Sequence, residues 1–309
     1  MPQITVLLAA YNGSKYVGQM IDSVLAQDYK DFLLVLSDDG SKDDTPQILD
    51  EYAARYPDKV VHYRSGLRFG NAQNHFLHLL QQFRSTPYIM FCDQDDYWHP
   101  DKITKTLQKM QEIEKPDAPA MVHTDLQVVD GQLQPMDASF MHFSKLKGDR
   151  LQLNALLVQN VVTGCTMMVN KALADLACSH LPQEGILMHD WWLALIAAAM
   201  GTAGYLPAAT IDYRQHGNNV EGAKNTRYGS YILKKLKNDG VRAAMTQTYA
   251  QARAFAHCFG PLMTPENRLL AETYAAMGEK NGLTRRILFK KYGFWKCGLQ
   301  RIVAQLLWG

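Results

Sequence analysis

The first 115 residues alternate between short apolar runs and segments with apolar residues at helical spacing. We interpret the apolar runs as strands buried on both faces, because they lack the polar alternation of a half-exposed strand. The segments between them predict amphipathic helices. The predicted strands cover residues 4–10, 32–37, 60–64 and 88–92, and the predicted helices cover residues 14–27, 43–56, 71–83 and 100–114.

This alternation predicts a right-handed, doubly wound parallel sheet. In such sheets a ligand binds beyond the carboxyl ends of the strands. Three polar loops follow predicted strands, at residues 11–13, 38–40 and 93–96. The sequence therefore predicts that these three loops meet at one edge of the sheet.

The pattern is mixed from about residue 120 onward. Apolar runs predict four further strands, and two helices are predicted from about residues 171 to 180 and 190 to 200. The strand patterns stop after Asn219, and residues 224–309 are predicted to be helical. The further strands are predicted at residues 120–129, 164–170, 203–208 and 210–216.

Composition is that of an ordinary globular protein, with 47% hydrophobic and 20% charged residues among 309. The net charge of +2 gives no nucleic-acid signature. The five cysteines are odd in number and form no CxxC pair, which predicts reduced thiols in a cytosolic protein. No signal peptide is predicted, and no apolar run reaches the roughly 18 residues needed to cross a bilayer.

Three acids follow the fourth predicted strand directly, in the stretch "FCDQDD". Asp93, Asp95 and Asp96 would repel one another, so this cluster suggests a bound cation. Hard oxygen ligands suit Mg²⁺ or Mn²⁺, which keep open positions for substrate phosphates. The alternative is the start of a helix, where carboxylates favour the helix dipole.

Other polar residues stand near predicted strand or helix ends. Asp39 follows the second strand, where turn and cap formation explains only part of the motif "SDDGSKDDT". Asp190 precedes two tryptophans, so it is either an N-cap or a carboxylate with a raised pKa that suits a general base. Arg214 and His216 follow the last predicted strand, where a structural histidine is the simpler interpretation.

Taken in order, "TVLLAAYNG", "VLSDDGSKDDT", "FCDQDD", "GCTMMVN" and "MHDWW" resemble the motifs of family 2 inverting glycosyltransferases. "MHDWW" with "YRQHGNN" is most similar to bacterial rhamnosyltransferase-like members. The resemblance covers roughly residues 3–220 and implies the GT-A fold, an α/β Rossmann-like, doubly wound and mostly parallel sheet. We divide the chain accordingly into a catalytic domain at residues 1–220 and a helical C-terminal region at 221–309. Within the former, residues 1–120 would hold the nucleotide-sugar and 121–220 the acceptor.

The resemblance implies that four residues bind the nucleotide. Ala10, Tyr11 and Asp39 would hold the base, with Asp39 accepting from its N–H edge. Asp93 would contact the ribose or the donor sugar.

The resemblance also implies a cofactor, Mn²⁺ or Mg²⁺, that bridges the diphosphate. Asp95 would bind the metal, and His216 would be a further ligand of the metal or the diphosphate. Arg214 would neutralise the departing diphosphate.

At the reacting sugar, Asp190 matches the family's catalytic base, with His189 where many members carry Glu. Trp191 would stack on a sugar face, and Asp96 would orient a donor or acceptor hydroxyl.

The function implied is transfer of a sugar to a glycan or lipid-linked acceptor in bacterial surface polysaccharide synthesis. dTDP-L-rhamnose is the first donor expected, and a UDP-hexose is the alternative. The QxxRW motif and membrane helices of processive synthases are absent from the sequence, which favours adding one or a few sugars. Two other hypotheses remain, a sugar-phosphate nucleotidyltransferase and a non-catalytic carbohydrate-binding or scaffold subunit.

Residues 284–309 carry six basic residues and no acid. As one helix, this segment would be amphipathic and suited to an anionic membrane, which predicts a cytoplasmic protein bound at the inner face of the plasma membrane. The alternative is a helix that packs on the catalytic domain or on a second copy in a homodimer. The expected apolar stripe contains Leu288, Tyr292, Trp295, Leu299, Ile302, Val303 and Leu306.

Overall fold

The computed structural model describes residues 2–215 and 239–308. In these ranges the chain forms nine strands and twelve α-helices around one mixed sheet. The strands are β1 (Ile4–Ala10), β2 (Phe32–Asp38), β3 (Val60–Tyr63), β4 (Tyr88–Asp93), β5 (Tyr97–Trp98), β6 (Ala120–Val129), β7 (Pro135–Asp137), β8 (Met168–Asn170) and β9 (Thr202–Arg214).

The helices alternate with the strands up to β9 and then follow one another. The first eight are α1 (Val17–Leu25), α2 (Thr45–Arg55), α3 (Ala72–Phe83), α4 (Lys102–Ile113), α5 (Phe140–Phe143), α6 (Leu153–Val158), α7 (Lys171–Ser179) and α8 (His189–Met200). The last four are α9 (Asp239–Phe259), α10 (Pro265–Ala275), α11 (Gly282–Tyr292) and α12 (Leu299–Trp308).

The sheet has the strand order β3-β2-β1-β4-β8-β6-β9-β5, with β7 paired to β6. The strands β3, β2, β1 and β4 are parallel, as predicted. In register, Ala10 of β1 lies beside Asp38, and Ala9 lies beside Asp93. The loops that follow β1, β2 and β4 therefore leave the sheet at one edge, which confirms that part of the sequence prediction.

Strand β9 is one strand of 13 residues, whereas the sequence suggested two. Its pairing with β6 is parallel but shifts register between Leu206 and Ala209. Pro207 lies at this shift, and proline has no N–H to donate to a ladder. A bulge therefore accommodates the proline and lets the strand continue to Arg214.

Helix starts differ from the sequence prediction at two places. Helix α1 begins at Val17, and Ser14 does not cap it. Instead, the backbone N–H of Ser14 donates to Asp43 (3.0 Å). Helix α4 begins at Lys102, two residues beyond Pro100, where the sequence placed its start.

The C-terminal helices pack on the sheet layer and share its core. Trp192 of α8 is fully buried and meets Phe255 and Phe259 of α9 edge-on or tilted, at ring distances of 5.5 and 5.8 Å. Phe289 of α11 and Phe294 are also fully buried in the same cluster. Residues 239–297 therefore contribute to the same hydrophobic core as one face of the sheet. The predicted boundary at residue 220 lies outside the described residues and stays a prediction.

The prediction of one continuous amphipathic helix at the C-terminus is wrong. Gly293 adopts a left-handed conformation (φ 70°) and ends α11, and α12 starts only at Leu299. Glycine adopts this conformation without a Cβ penalty and commonly ends helices. The break turns the two helices independently, so the expected single stripe does not form. None of the described helices combines the length and apolar character that crossing a membrane requires.

Candidate active site

Asp39 lies directly after β2 and ties together three segments of the chain. Its backbone N–H donates to the carbonyl of Ala10 (2.9 Å). Its carboxylate accepts the backbone N–H groups of Phe69 and Gly70, the latter at 2.8 Å. Asp39 is buried, so the carboxylate that was predicted to bind the nucleobase also fixes the loop between β3 and α3.

Tyr11 is held through its backbone while its side chain stays exposed. The amide of Gln94 accepts from the Tyr11 N–H (2.8 Å) and donates to the Tyr11 carbonyl (3.0 Å). The Tyr11 side chain is 52% exposed. The loops after β1 and β4 are therefore joined, and an aromatic face is left where the sequence placed the nucleobase.

The tight approach of these loops depends on Gly13. A Cβ at this position would lie 2.1 Å from Oε1 of Gln94, which is closer than contacts allow. Asn12 beside it has a positive φ (48°), and its side chain accepts the N–H of Lys42 (2.9 Å). The "YNG" motif thus has a structural role in bringing three strand ends together.

Asp93, Asp95 and Asp190 share one electrostatic environment. Burial, followed by the negative charges of Asp95 and Asp190, raises the pKa of Asp93 to about 7. The Sγ of Cys165 lies within 4.8 Å of an Asp93 carboxylate oxygen, and a Cβ added to the neighbouring Gly164 would lie 3.7 Å from the Cβ of Asp190. The structure therefore brings the acids after β4 next to the acid at the start of α8, although 93 and 190 are far apart in sequence.

The carboxylates after β4 suit a hard divalent cation, whereas the buried Cys165 thiol beside them does not, because burial raises its pKa. Ligand atoms of Asp93, Asp96 and Cys165 lie within 4.8 Å of one another, and Asp95 is adjacent in the same loop. Clustered carboxylates with raised pKa values gain from a cation that offsets their repulsion. His216, the second predicted ligand, lies outside the described residues.

Asp96 is fully buried at the back of this cluster. Its Oδ1 accepts the backbone N–H of Arg214 (3.2 Å), and its Oδ2 has no partner among the described residues. Burial, then Asp95 and Asp93, raises its pKa well above the usual range. The predicted contact with a sugar hydroxyl stays a prediction, since in this structure the carboxylate faces the interior.

Arg214 at the end of β9 is 2% exposed and is engaged on every side. Its Nε donates to the carbonyl of Asp95 (2.8 Å), Nη1 to the carbonyl of Gly131 (3.0 Å), and Nη2 to the side chain of Gln19 (2.8 Å). The guanidinium also lies over the ring of Tyr16 at 4.4 Å. Arg214 thus holds in place the loop after β4 that carries the three acids, residues 93–96, which we call the acidic loop. Its predicted contact with the diphosphate stays a prediction.

Asp190 is the second residue of α8 and is 6% exposed. Its Oδ1 accepts from the side-chain amide of Asn160 (3.2 Å) and from the N–H of Trp191. Asn160 is itself fixed by two hydrogen bonds to Val162. Asn160 was not among the residues predicted from the sequence, although Gln159 and Asn160 form a polar pair between two apolar runs.

The neighbours of Asp190 face the interior. The ring of His189 is buried against Phe76 and Phe91, at ring distances of 4.5 and 5.1 Å, and burial lowers its pKa to about 3. The indole N–H of Trp191 donates to the carbonyl of Leu156 (2.6 Å). Contacts of His189 and Trp191 with a sugar stay predictions, since both side chains have roles in packing.

The comparisons with known proteins agree with this geometry. Residues 5–176 match the sequence profile of the family described as glycosyl transferase family 2. The dTDP-rhamnosyl transferase RfbG of Shigella flexneri is 26% identical over 252 residues, which is 78% of this chain and 82% of that protein. An uncharacterized glycosyltransferase of Rickettsia typhi, RT0329, is 28% identical over 171 residues. The aligned part is 54% of this chain and 50% of that protein.

Two solved glycosyltransferases have similar folds. S. aureus TarS 1–349 in complex with UDP-GlcNAc has a TM-score of 0.55 at 14% identity, over 98% of this chain and 89% of that one. The mannosyltransferase PcManGT from Pyrobaculum calidifontis, in complex with GDP-Man and Mn²⁺, has a TM-score of 0.52 at 17% identity, over 99% and 87%. At these identities the likeness shows the fold alone, and it confirms the GT-A fold predicted from the motifs.

Proposed function

Because this chain belongs to glycosyl transferase family 2 and is a glycosyltransferase, we propose that it transfers one sugar to an acceptor hydroxyl with inversion at the anomeric carbon. The observation that supports this proposal is that the Asp93 carboxyl senses the charges of Asp95 and Asp190, at the edge of the sheet where Asp39 follows β2. A nucleotide site, a cation site and a base are the parts that this reaction needs.

The donor we propose is dTDP-L-rhamnose, with a UDP-hexose as the alternative. Support for rhamnose comes from the relative named dTDP-rhamnosyl transferase, which this chain matches over most of both lengths. The acceptor we propose is a glycan or a lipid-linked glycan in bacterial surface polysaccharide synthesis, in the cytoplasm at the inner face of the plasma membrane.

In the proposed mechanism Asp190 is the catalytic base. The acceptor oxygen attacks the anomeric carbon as the bond from that carbon to the diphosphate oxygen breaks, and the hydroxyl proton passes to the Asp190 carboxylate. The nucleoside diphosphate leaves with the bonding electron pair. Asn160 orients the carboxylate through Oδ1. No covalent intermediate is required, so the product has the opposite anomeric configuration.

A divalent cation, Mn²⁺ or Mg²⁺, would be held by Asp95, with Asp93 beside it and His216 as the predicted further ligand. When bound, it supplies positive charge that stabilises the diphosphate as it departs. Arg214 positions Asp95 through the hydrogen bond to its carbonyl. We propose that Arg214 acts mainly in this way, because its donors are already engaged by the protein.

The other predicted residues would form the base site, support the acidic loop and line the acceptor side. Tyr11 would stack on the base, with Ala10 and Asp39 forming the floor of its site. Asp96 and His189 would not contact the substrate. Asp96 would support the acidic loop, and His189 would support the start of α8. Trp191 would line the acceptor side through its partly exposed edge.

The test is nucleoside diphosphate release from a panel of nucleotide-sugars, measured with and without Mn²⁺. Asp190→Asn should lower turnover by about 10³-fold, within the range for loss of a general base, and leave donor affinity nearly unchanged. Asp95→Ala should instead weaken donor binding in the presence of Mn²⁺, as measured by calorimetry. The matched control is Asp175→Asn, which changes a half-exposed acid of α7 that pairs with Arg84 and Lys171.

An active Asp190→Asn variant would rule out the base assignment. Release of pyrophosphate from a nucleoside triphosphate would overturn the proposed reaction in favour of a nucleotidyltransferase. Binding of nucleotide-sugars without turnover by the unaltered protein, across the donor and acceptor panel, would support a non-catalytic subunit.

A further inference from the structure

The two C-terminal helices expose five aliphatic side chains in two short stripes. Leu283 and Ile287 lie four residues apart on α11, and the remaining three lie at the same spacing on α12. Their exposed fractions are unusually high for such residues: Leu283 68%, Ile287 58%, Leu299 77%, Val303 45% and Leu307 59%. Residues four apart share one face of a helix, so each helix presents an apolar stripe to solvent. We call this set the aliphatic face.

The break at Gly293 decides which residues form this face. Leu288, Tyr292 and Trp295, which a single helix would have placed on its exposed stripe, pack against the core instead. The side chain of Arg286 donates from Nε and Nη2 to the carbonyl of Leu306 (3.0 and 2.9 Å). This contact joins α11 to the end of α12 and brings together the segments that carry Ile287 and Leu307, the residues that follow Arg286 and Leu306, which supports treating the two stripes as one surface.

The two helices that carry the aliphatic face hold only basic charges, and the acid that precedes them in the chain, Glu279, pairs with Arg253 (3.1 Å). Residues 280–309 contain seven basic residues and no acid. Arg286, Lys290 and Lys291 are exposed, and the two lysines follow Ile287 by three and four residues on α11. Exposed aliphatic residues flanked by lysine and arginine are the pattern of helices that lie in a lipid–water interface.

A symmetric dimer would fit this surface poorly. A two-fold interface presses the same patch of both copies together. That arrangement would bring the Arg286, Lys290 and Lys291 side chains of one copy towards those of the other, and α11 and α12 carry no acid to offset this repulsion. An anionic lipid surface instead supplies both the apolar layer and the opposite charge.

We propose that the aliphatic face docks on the surface of an anionic membrane, with α11 and α12 lying along the interface. The linker between these helices is near the catalytic region. The N–H of Cys297 donates to the side chain of Gln159 (2.7 Å), and the next residue, Asn160, donates to Asp190. The docked helices would therefore be connected, through this linker, to the segment that positions Asp190.

Flotation with lipid vesicles tests this docking without any transfer reaction, so its outcome is independent of the proposed function. The full chain should float with vesicles of phosphatidylcholine and phosphatidylglycerol and much less with phosphatidylcholine alone. The double variant Ile287→Glu/Leu299→Glu should lose at least about tenfold in partitioning. Lys290→Gln/Lys291→Gln should lose roughly fivefold per lysine, and only with the anionic vesicles.

The matched control is Leu262→Glu/Leu269→Glu, which changes two leucines of similar exposure (52% and 51%) outside the aliphatic face. It should float like the unaltered protein, and thermal melting should show that every variant is folded. Failure of the unaltered protein to float, or equal flotation of the Ile287/Leu299 variant, would overturn the proposal. So would sedimentation showing a dimer that the same variant converts to a monomer, since the face would then be a self-association surface.

Discussion

Burial controls the protonation of single side chains around the acidic loop. His189 packs between two phenylalanines, and neither ring nitrogen has a partner among the described residues. Burial lowers its pKa to about 3, whereas burial, together with the negative charges of Asp95 and Asp190, raises the pKa of Asp93 to about 7. The same loss of water favours the neutral form of both groups, so the two pKa values move in opposite directions.

The pKa of His189 predicts a dependence of stability on pH. Its ordinary value is 6.5, so below that pH the unfolded chain takes up a proton that the folded chain excludes. Stability should fall by about 1.4 kcal/mol per pH unit as pH drops from 6.5 towards 3. The variant His189→Leu should therefore lose about 2 kcal/mol less than the unaltered protein between pH 7 and pH 5, measured by urea unfolding.

The control for this experiment is His257→Leu, because His257 is exposed on α9. It should show the same pH dependence as the unaltered protein. Some dependence should remain in His189→Leu, because burial also lowers the pKa values of His75 and His123 to about 4. An unchanged slope in His189→Leu would mean that this ring accepts a proton in the folded state.

At the scale of elements, the site is assembled by loops that hold one another. The side chain of Gln94, after β4, pairs with the backbone of Tyr11, after β1. Asp43, at the start of α2, accepts the N–H of Ser14, and its hydrogen bonds hold its pKa near 2 despite partial burial. Each loop therefore keeps its shape through contacts with a loop from another strand.

This arrangement predicts the effect of Gly13→Ala. The added methyl group would displace the Gln94 side chain and break both of its hydrogen bonds to Tyr11. Each of the two hydrogen bonds contributes about 0.5–1.5 kcal/mol, and both hold Tyr11 in the position proposed for stacking on the base. Donor affinity, measured by calorimetry, should therefore fall by about tenfold or more.

Gly240→Ala serves as the control, because a Cβ there has no atom within 4 Å. Equal donor affinity in both variants would show that the two hydrogen bonds between Gln94 and Tyr11 have no part in nucleotide binding.

At the scale of the whole molecule, the C-terminal helices belong to the body of the enzyme. Phe255 and Phe259 of α9 and Phe289 of α11 lie in the same cluster as Leu7 of β1 and Trp192 of α8. The segment that the sequence suggested as a membrane or dimer extension therefore has two faces with separate roles. One face completes the core, and the aliphatic face remains exposed.

Deleting residues 284–309 should consequently destabilise the whole protein. The deletion removes Phe289 and Phe294, both fully buried. Loss of a buried phenylalanine costs about 3–5 kcal/mol, and two such losses approach the whole stability of a typical domain. We expect a strongly lowered melting temperature and aggregation, measured by calorimetry and size exclusion.

The control is Leu307→Ser, which changes an exposed residue of the same segment and should melt like the unaltered protein. An unchanged melting temperature after the deletion would show that the C-terminal helices contribute little to the core.

The sequence by itself determined the order of the first four strands and the first four helices, the parallel half of the sheet and the acids at its carboxyl edge. These follow from local periodicity, because apolar runs and helical stripes reflect which faces of each element avoid water. The motifs added the family and the GT-A fold. Asp39, Asp93 and Asp95 could be placed at one edge because parallel strands present their carboxyl ends together.

Only the tertiary structure decided which polar side chains face the ligand edge and which face the interior. Asp96, His189 and Arg214 have the same residue types as ligand-binding groups, yet each is buried by elements distant in sequence. Only the tertiary structure placed Asn160 beside Asp190. It also showed that α11 and α12 are two separate helices. Burial and hydrogen-bond partners depend on the packing of remote segments, which a local pattern of polar and apolar residues does not encode.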